Sequence, residues 1–594
     1  MNALSKLIGA LLCIILLTYC KNPKTEIVNT EIKKPNIVLI LADDQGWGDL
    51  SIHGNTNLAT PNIDAIAQNG AAFENFFVQP VCSPTRAELL TGRYFGRSGV
   101  YATSAGGERM NLGEVTLAEI LQDAGYTTAA YGKWHNGMQP PYHPNARGFQ
   151  DFYGFCSGHW GNYFSPMLEH NGEIVTGNGF LVDDLTDKGL NFIERNKEVP
   201  FFLYLPLNTP HSPMQVPDAY WDRFKNKPLA LGYKDSIKED VGFTRAALAM
   251  VENIDHNVGR VSEKLKTLGL EENTIVIYLS DNGPNSWRWN GSMRGKKGST
   301  DEGGVKSPFF IQWKNVIKSG TKLNTIAASI DLLPTLAHLA HIDLKEPQRL
   351  DGKDLAPLLL GSNTKVEPRV VYNHWEDSTS LRTQKYRLDH KNRLYDMEAD
   401  VGQTEDIAAN LPKFRDSLIA LKNSWRANVM DKNKTHGERR FTVGHPDFIY
   451  TQLPARDGIA HGNITRSNKY PNDSFFSEWN STNDAVTWNI EVLEDGIFEV
   501  ALYYTCKPEN KGTQLKLEFG DHQIHYTVEK THDPPLKGME NDRFPRAESY
   551  VKDFISANIG ELTLKKGSGT LKLSAIKIPG DQAIDFRLLQ LKKL

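Results

Sequence analysis

The chain has 594 residues, 40% of them hydrophobic and 23% charged, enough for a large domain plus at least one smaller unit and incompatible with wholesale disorder. Its 67 basic residues nearly balance 71 acidic ones, so no net field draws it to nucleic acid. The five cysteines, Cys13, Cys20, Cys82, Cys156 and Cys506, are too few and too widely spaced for a disulfide framework or a cysteine zinc site.

In chain order, Lys6 precedes an apolar run over 7–17, too short to span a bilayer but fitting a signal-peptide core; a buried N-terminal helix is the plainer alternative. Leu17-Thr18-Tyr19-Cys20 follows, then a polar tether. This arrangement resembles a bacterial lipoprotein signal, with 1–20 as the signal, 21–34 as the tether and Cys20 as the lipidated residue. Tyr19 is larger than the usual residue before that cysteine, which leaves cleavage without lipid as the alternative. The expected location is outside the cytoplasm, in the periplasm or at the cell surface, anchored to the membrane through Cys20.

From 35 to 345, short apolar runs alternate with amphipathic stretches, as in an α/β domain whose sheet is covered by helices. The runs 36–41, 127–131, 201–207 and 274–279 are continuously apolar, the pattern of strands buried on both faces. Helices are expected over 116–124, 241–268 and 329–340. A second unit, 346–435, reads as a small antiparallel piece closed by a helix, with Leu411, Phe414, Leu418, Leu421 and Trp425 on one face. From 444 to 594, alternating runs such as Phe498, Val500, Leu502 and Tyr504, separated by turn residues, predict an appended β-sandwich. Trp479, Trp488, Tyr503 and Tyr504 are either carbohydrate platforms or core residues there.

Polar residues follow each buried run. The first leads to Asp43-Asp44, the second to Lys133-Trp134-His135, the third to His211 and the fourth to Asp281-Asn282. Ligands of open parallel sheets sit beyond the carboxyl ends of the strands, so four strands would deliver these groups to one rim. A strand entering water also tends to meet polar residues, which accounts for any one such ending alone. Asp43, Asp44, Asp281 and Asn282 offer only oxygen, which selects a hard cation such as calcium or magnesium over zinc. Cys82-Ser83-Pro84-Thr85-Arg86 opens a short helix ending at Gly92, with Arg86 one turn beyond Cys82 on the same side. A lone cysteine at such a position is most often a small buried residue.

Cys82-x-Pro84-x-Arg86, continued to Arg93, resembles the signature of type I sulfatases, in which a maturation enzyme oxidises the cysteine to formylglycine. Gly125 through His135 resembles the family's second signature. The resemblance continues through Asp281-Asn282-Gly283, Lys297 to Gly304, Asp331 to Leu336 and Leu394-Tyr395-Asp396, covering about residues 35 to 430. It implies an alkaline-phosphatase-like fold: a mixed sheet sandwiched by helices, with a small antiparallel C-terminal subdomain. Asp43, Asp44, Asp281 and Asn282 would hold one calcium together with the formylglycine from Cys82. A hydrated aldehyde has two hydroxyls on one carbon, one to attack sulfur and one to expel sulfate afterwards, which serine lacks. Arg86 would stabilise that hydrate, Lys133 and Lys297 would bind sulfate oxygens, His135 would assist the elimination, and His211 would protonate the leaving oxygen. Three carboxylates, a divalent ion and these three cations leave about two positive charges for a singly charged sulfate ester. Asp301 stands where the family often has an aromatic residue.

His159, Trp287 and Arg288 are candidates for the substrate pocket. The export signal and the sandwich favour a sulfated carbohydrate, such as ulvan or its fragments. The implied partners are that carbohydrate and a formylglycine-generating or anaerobic sulfatase-maturating enzyme. The alternatives are a phosphonate or phosphodiester hydrolase of the same superfamily, or a carbohydrate-binding lipoprotein without activity.

Overall fold

The computed structural model describes residues 33–344, 349–362, 367–431 and 439–594. The expected signal, Cys20 and the tether up to residue 32 lie outside them. Residues 35–594 form one compact unit.

The centre of the fold is a ten-stranded mixed sheet. Five strands carry the argument: β1 (Asn36–Ala42), β2 (Thr127–Lys133), β3 (Phe201–Pro206), β4 (Thr274–Ser280) and β5 (Phe309–Trp313). Their order is β5-β4-β1-β3-β2. Strands β1 to β4 are mutually parallel and β5 runs antiparallel to β4. In β1 every residue is buried: Val38 and Ile40 pack into one hydrophobic cluster, Ile37, Leu39 and Leu41 into another. That two-sided burial is why the run is continuously apolar.

Helix α1 (Cys82–Thr91) lies on one side of the sheet and the long α2 (Val241–Thr267) on the other. Asp240 caps α2 by accepting from the N–H groups of Gly242 and Phe243. The second unit is a four-stranded antiparallel sheet, Val371–Trp375, Ser378–Arg382, Tyr386–Leu388 and Leu394–Asp396, closed by α3 (Pro412–Trp425). The expected apolar stripe of α3 is only partly used: Leu418 and Trp425 are buried, whereas Phe414 and Leu421 are exposed. Phe414 meets the small sheet only at its rim, edge-on to Tyr386 with ring centroids 5.1 Å apart. Lys422 reaches inward instead, donating to the Asp389 carbonyl and Asn392 Oδ1.

The C-terminal part is a sandwich of two sheets. Its final strand, Asp585–Lys593, is internal, paired with Tyr450–Pro454 on one side and Gly496–Thr505 on the other. Trp479, Trp488 and Tyr504 are fully buried in its core, which removes them as carbohydrate platforms; Tyr503 is half-buried. Inward-facing positions of both sheets need large apolar side chains, and these three supply them.

Candidate active site

Strands β4, β1, β3 and β2 are neighbours and parallel, so their carboxyl ends open on one rim. Asp43 and Asp44 follow β1, Lys133 ends β2 with His135 two residues on, His211 lies past β3, and Asp281-Asn282 follow β4. The sheet thus brings together all the strand-end residues that the sequence singled out. Asp44 (φ 68°) and His135 (φ 62°) both have left-handed backbone, uncommon outside glycine and concentrated at functional sites. Asp281 Oδ1 accepts from the Asp44 N–H at 3.1 Å and fixes that bend.

Helix α1 starts at Cys82 itself, after an extended Val81. Pro84 falls in the first turn, where its missing N–H breaks no helical bond. Gly92 ends the helix at φ 67°, donating to the Glu88 carbonyl at 2.9 Å. All ten residues are buried, so Cys82 is held rigidly at the helix start. Arg86, one turn on, donates to Asp281 Oδ2 from Nε (3.1 Å) and Nη2 (2.8 Å) and to the Lys133 carbonyl at 2.7 Å.

Ligand atoms of Asp43, Asp44, Cys82 and His211 all lie within 4.8 Å of one another. Lys133 Nζ is 2.6 Å from Asp43 Oδ2, and Lys297 Nζ is 2.6 and 2.9 Å from the two Asp44 oxygens. The loop carrying Lys297 is tied to both sides of the site: the Lys297 N–H donates to Pro284 O, and the Gly298 N–H to Pro80 O. Asn282 Nδ2 donates to Asp44 Oδ1 at 2.8 Å. Two buried acceptors, Asp43 Oδ1 and Asn282 Oδ1, have no hydrogen-bond partner. Orphaned oxygens beside clustered carboxylates fit a hard divalent cation.

Burial, with Asp43 nearby, raises Asp281 to about 6 against the pull of Arg86. Burial also opposes the Asp44 charge, but Lys297, His211 and Lys133 outweigh it and hold Asp44 well below the usual range. Burial pushes the Cys82 thiol up to about 12, so the unmodified side chain is a poor thiolate nucleophile near neutrality. Burial first, then neighbouring lysine charge, lowers His211 to about 4 and His135 well below the ordinary value. His135 Nε2 meets the Thr103 carbonyl at 2.8 Å, and His211 Nδ1 meets the Ser212 carbonyl at 2.6 Å. The second nitrogen of His211 is 3.6 Å from Asp44 Oδ2. His159 stacks on His211 with centroids 5.9 Å apart, placing it in the wall of the site.

Arg288 is a correction. Its guanidinium is buried, with every donor engaged: by the Asp49 carboxylate, the Asp44 carbonyl, Asn285 Oδ1 and Ser286 Oγ. It props the backbone of Asp44 and has no donor left for a substrate. Trp287 is half-buried, 4.8 Å from Tyr233 and under Lys296 and Lys238. The Asp49–Arg288 pair carried no local sequence signal, being formed across 239 positions.

A mixed sheet sandwiched by helices, with carboxylates, lysines and imidazoles at the carboxyl rim of its parallel strands, is the architecture of the alkaline-phosphatase-like hydrolases. The chain belongs to the sulfatase family, whose model matches residues 35–342, and is a sulfuric ester hydrolase. A second model, the C-terminal part of N-sulphoglucosamine sulphohydrolase, matches 296–422. The chain is 32% identical to the N-acetylgalactosamine-6-sulfatase of Mus musculus, over 57% of this chain and 68% of that one. It is 33% identical to human arylsulfatase A, over 60% and 74%. Among solved structures it resembles Ps i-CgsB at 30% identity and a TM-score of 0.61, covering 67% of this chain and 94% of that one. Ps i-CgsB has also been solved in complex with k-i-k-neocarrahexaose. The family generally works through a formylglycine and a metal ion.

Proposed function

We propose that this sulfatase removes sulfate from a sulfated carbohydrate, with Cys82 converted to formylglycine and one calcium held by Asp43, Asp44, Asp281, Asn282 and that residue. The observation that carries the reading is the convergence of Cys82, at the start of a fully buried helix, with Asp43, Asp44 and His211 inside 4.8 Å. When present, the cation and the formylglycine supply an activated hydroxyl nucleophile near neutral pH. Lys133 and Lys297 sit where they can bind sulfate oxygens, turning a carboxylate cluster into an anion site. His211, held through Nδ1 by the Ser212 carbonyl, aims Nε2 into the site and, in its protonated form, would carry the proton to the leaving oxygen. Arg86, one turn beyond Cys82, and His135 would hold the hydroxyls of the modified residue.

The carbohydrate assignment is supported by the similarity to a sugar sulfatase and to an enzyme solved with a neocarrahexaose. Ulvan or its fragments are the substrate we favour. We also propose export, lipidation at Cys20, membrane attachment in the periplasm or at the cell surface, and maturation by a formylglycine-generating or anaerobic sulfatase-maturating enzyme. Loss of labelled-lipid incorporation in Cys20→Ala tests the anchor.

The deciding experiment measures sulfate released from defined sulfated oligosaccharides, with a phosphodiester and a phosphonate ester alongside. Wild type with formylglycine verified by mass spectrometry should release sulfate, and Cys82→Ala should not. Turnover of the phosphorus esters alone, or full activity in Cys82→Ala, would overturn the assignment.

A further inference from the structure

The C-terminal sandwich lies outside both family matches, which end by residue 422, yet it reaches into the catalytic rim. Asn472 Oδ1 accepts from the Gly158 N–H at 3.2 Å, and the Asn472 carbonyl faces the His159 ring. Gly158 is the contact between Asn472 and His135: a Cβ there would lie 2.6 Å from His135 Nε2 and 2.7 Å from Asn472 Nδ2. Asp473 holds the same segment by accepting from the Gly161 N–H at 2.5 Å, and is itself paired with Arg587 of the last strand. Arg456 ties the segment's other end, donating to Ser157 Oγ at 3.1 Å. Asn472, Asp473, Arg456 and Arg587 are all buried.

A second contact reaches the other histidine. Glu548, on the long sandwich loop before Ile555–Leu564, hydrogen-bonds the Ser212 hydroxyl, one residue past His211. Glu548 and Ser212 are half-exposed, whereas Lys133 is fully buried at the inner, sulfate-binding end of the site. The carboxylate therefore stands at the mouth, where the alcohol part of a substrate would lie, and is an acceptor for hydroxyl groups.

We infer that the sandwich is a working part of the active site: Asn472 is a positioning residue for the His135–His159 wall, and Glu548 selects the sugar by accepting from its ring hydroxyls. The second half rests on the carbohydrate reading above; the first does not. Trp479, Trp488 and Tyr504, considered from the sequence as carbohydrate platforms, are in the core and offer no separate binding surface.

The test uses the full chain and two substrates, 4-nitrophenyl sulfate, which has no sugar, and a sulfated oligosaccharide. Asn472→Ala should lower kcat on both by about tenfold or more, the scale expected when reacting groups are slightly misplaced. Its melting temperature should stay near that of wild type. Asn472→Asp, which keeps an acceptor for Gly158, should recover most of that loss. Glu548→Ala should raise KM for the oligosaccharide about tenfold more than for the aryl sulfate, equivalent to one lost hydrogen bond to a charged group. Lys565→Ala, on the outer surface of the sandwich, should change neither. Wild-type kinetics in both Asn472→Ala and Glu548→Ala would overturn the inference, as would a loss in Asn472→Asp as deep as in Asn472→Ala. Should Asn472→Ala fail to fold, the KM ratio of Glu548→Ala decides. A wild type active on the aryl sulfate but on no carbohydrate would refute the substrate reading, while the Asn472 arm would still judge the positioning role.

Discussion

Glu88 shares helix α1 with Cys82 and is buried, accepting from Ser329 Oγ, Gln79 Nε2 and the Phe95 N–H, and is in no ion pair among the described residues. Burial, eased only partly by those donors, raises it from 4.5 to about 8. The folded state therefore keeps a proton that the unfolded chain releases, and stability falls as pH rises from 4.5 to about 8. The loss across that window is at most about 4 kcal/mol. Glu88→Gln keeps the shape and removes the titration. Melting temperatures of the variant should fall less between pH 5 and 8 than those of wild type; parallel curves would reject the assignment. Asp281 clamps Arg86 and fixes the Asp44 bend, and in the proposed site would also hold the cation. Asp281→Ala should abolish turnover and weaken calcium binding by calorimetry, and unchanged values for both would reject its placement. At this scale the sequence showed which groups gather, because each sits directly after a buried run or in a recognisable motif. It did not show that Arg288 is spent on Asp49, a pairing that depends on chain-distant packing.

Strand ends were legible because a strand covered on both faces has no polar positions, so the first polar residue marks the rim. The small subdomain was less so: periodicity defined α3 but not how much of its stripe the neighbouring sheet could cover. Strand β2 shows how tightly an element can set a catalytic group. Gly132, beside Lys133, has φ 141°, and a Cβ there would lie 2.0 Å from the Pro206 carbonyl of β3. Any side chain must push the two strands apart where Lys133 is aimed. Gly132→Ala should cost about 1–3 kcal/mol of stability, the range for strained or overpacked backbone sites. It should also reduce turnover by more than that stability change alone produces. Wild-type kinetics with a wild-type melting temperature would show that the strands separate without cost.

On the scale of the molecule, the sandwich was visible in alternating apolar residues, but its docking was not, since polar contacts such as Asn472 with Gly158 have no periodicity. Because the buried Arg456–Glu108 ion pair and hydrogen bonds such as that of Gly158 to Asn472 join it to the catalytic part, residues 35–594 should unfold in one calorimetric transition. Two well-separated transitions would contradict this. Calcium chelation should lower that single melting temperature, as loss of any ligand specific to the native state does.

The internal position of Asp585–Lys593 has a temporal meaning. A polypeptide made from its N-terminus cannot pair that strand with either neighbour, nor seat Arg587 against Asp473, until synthesis has passed residue 593. Until then the wall behind the histidines stays unfinished. Afterwards the thiol at position 82 is 3% exposed. The proposed oxidation of that thiol therefore has to come before the fold closes over it, and removing Asp585–Lys593 should cost the protein its chemistry as well as a sheet.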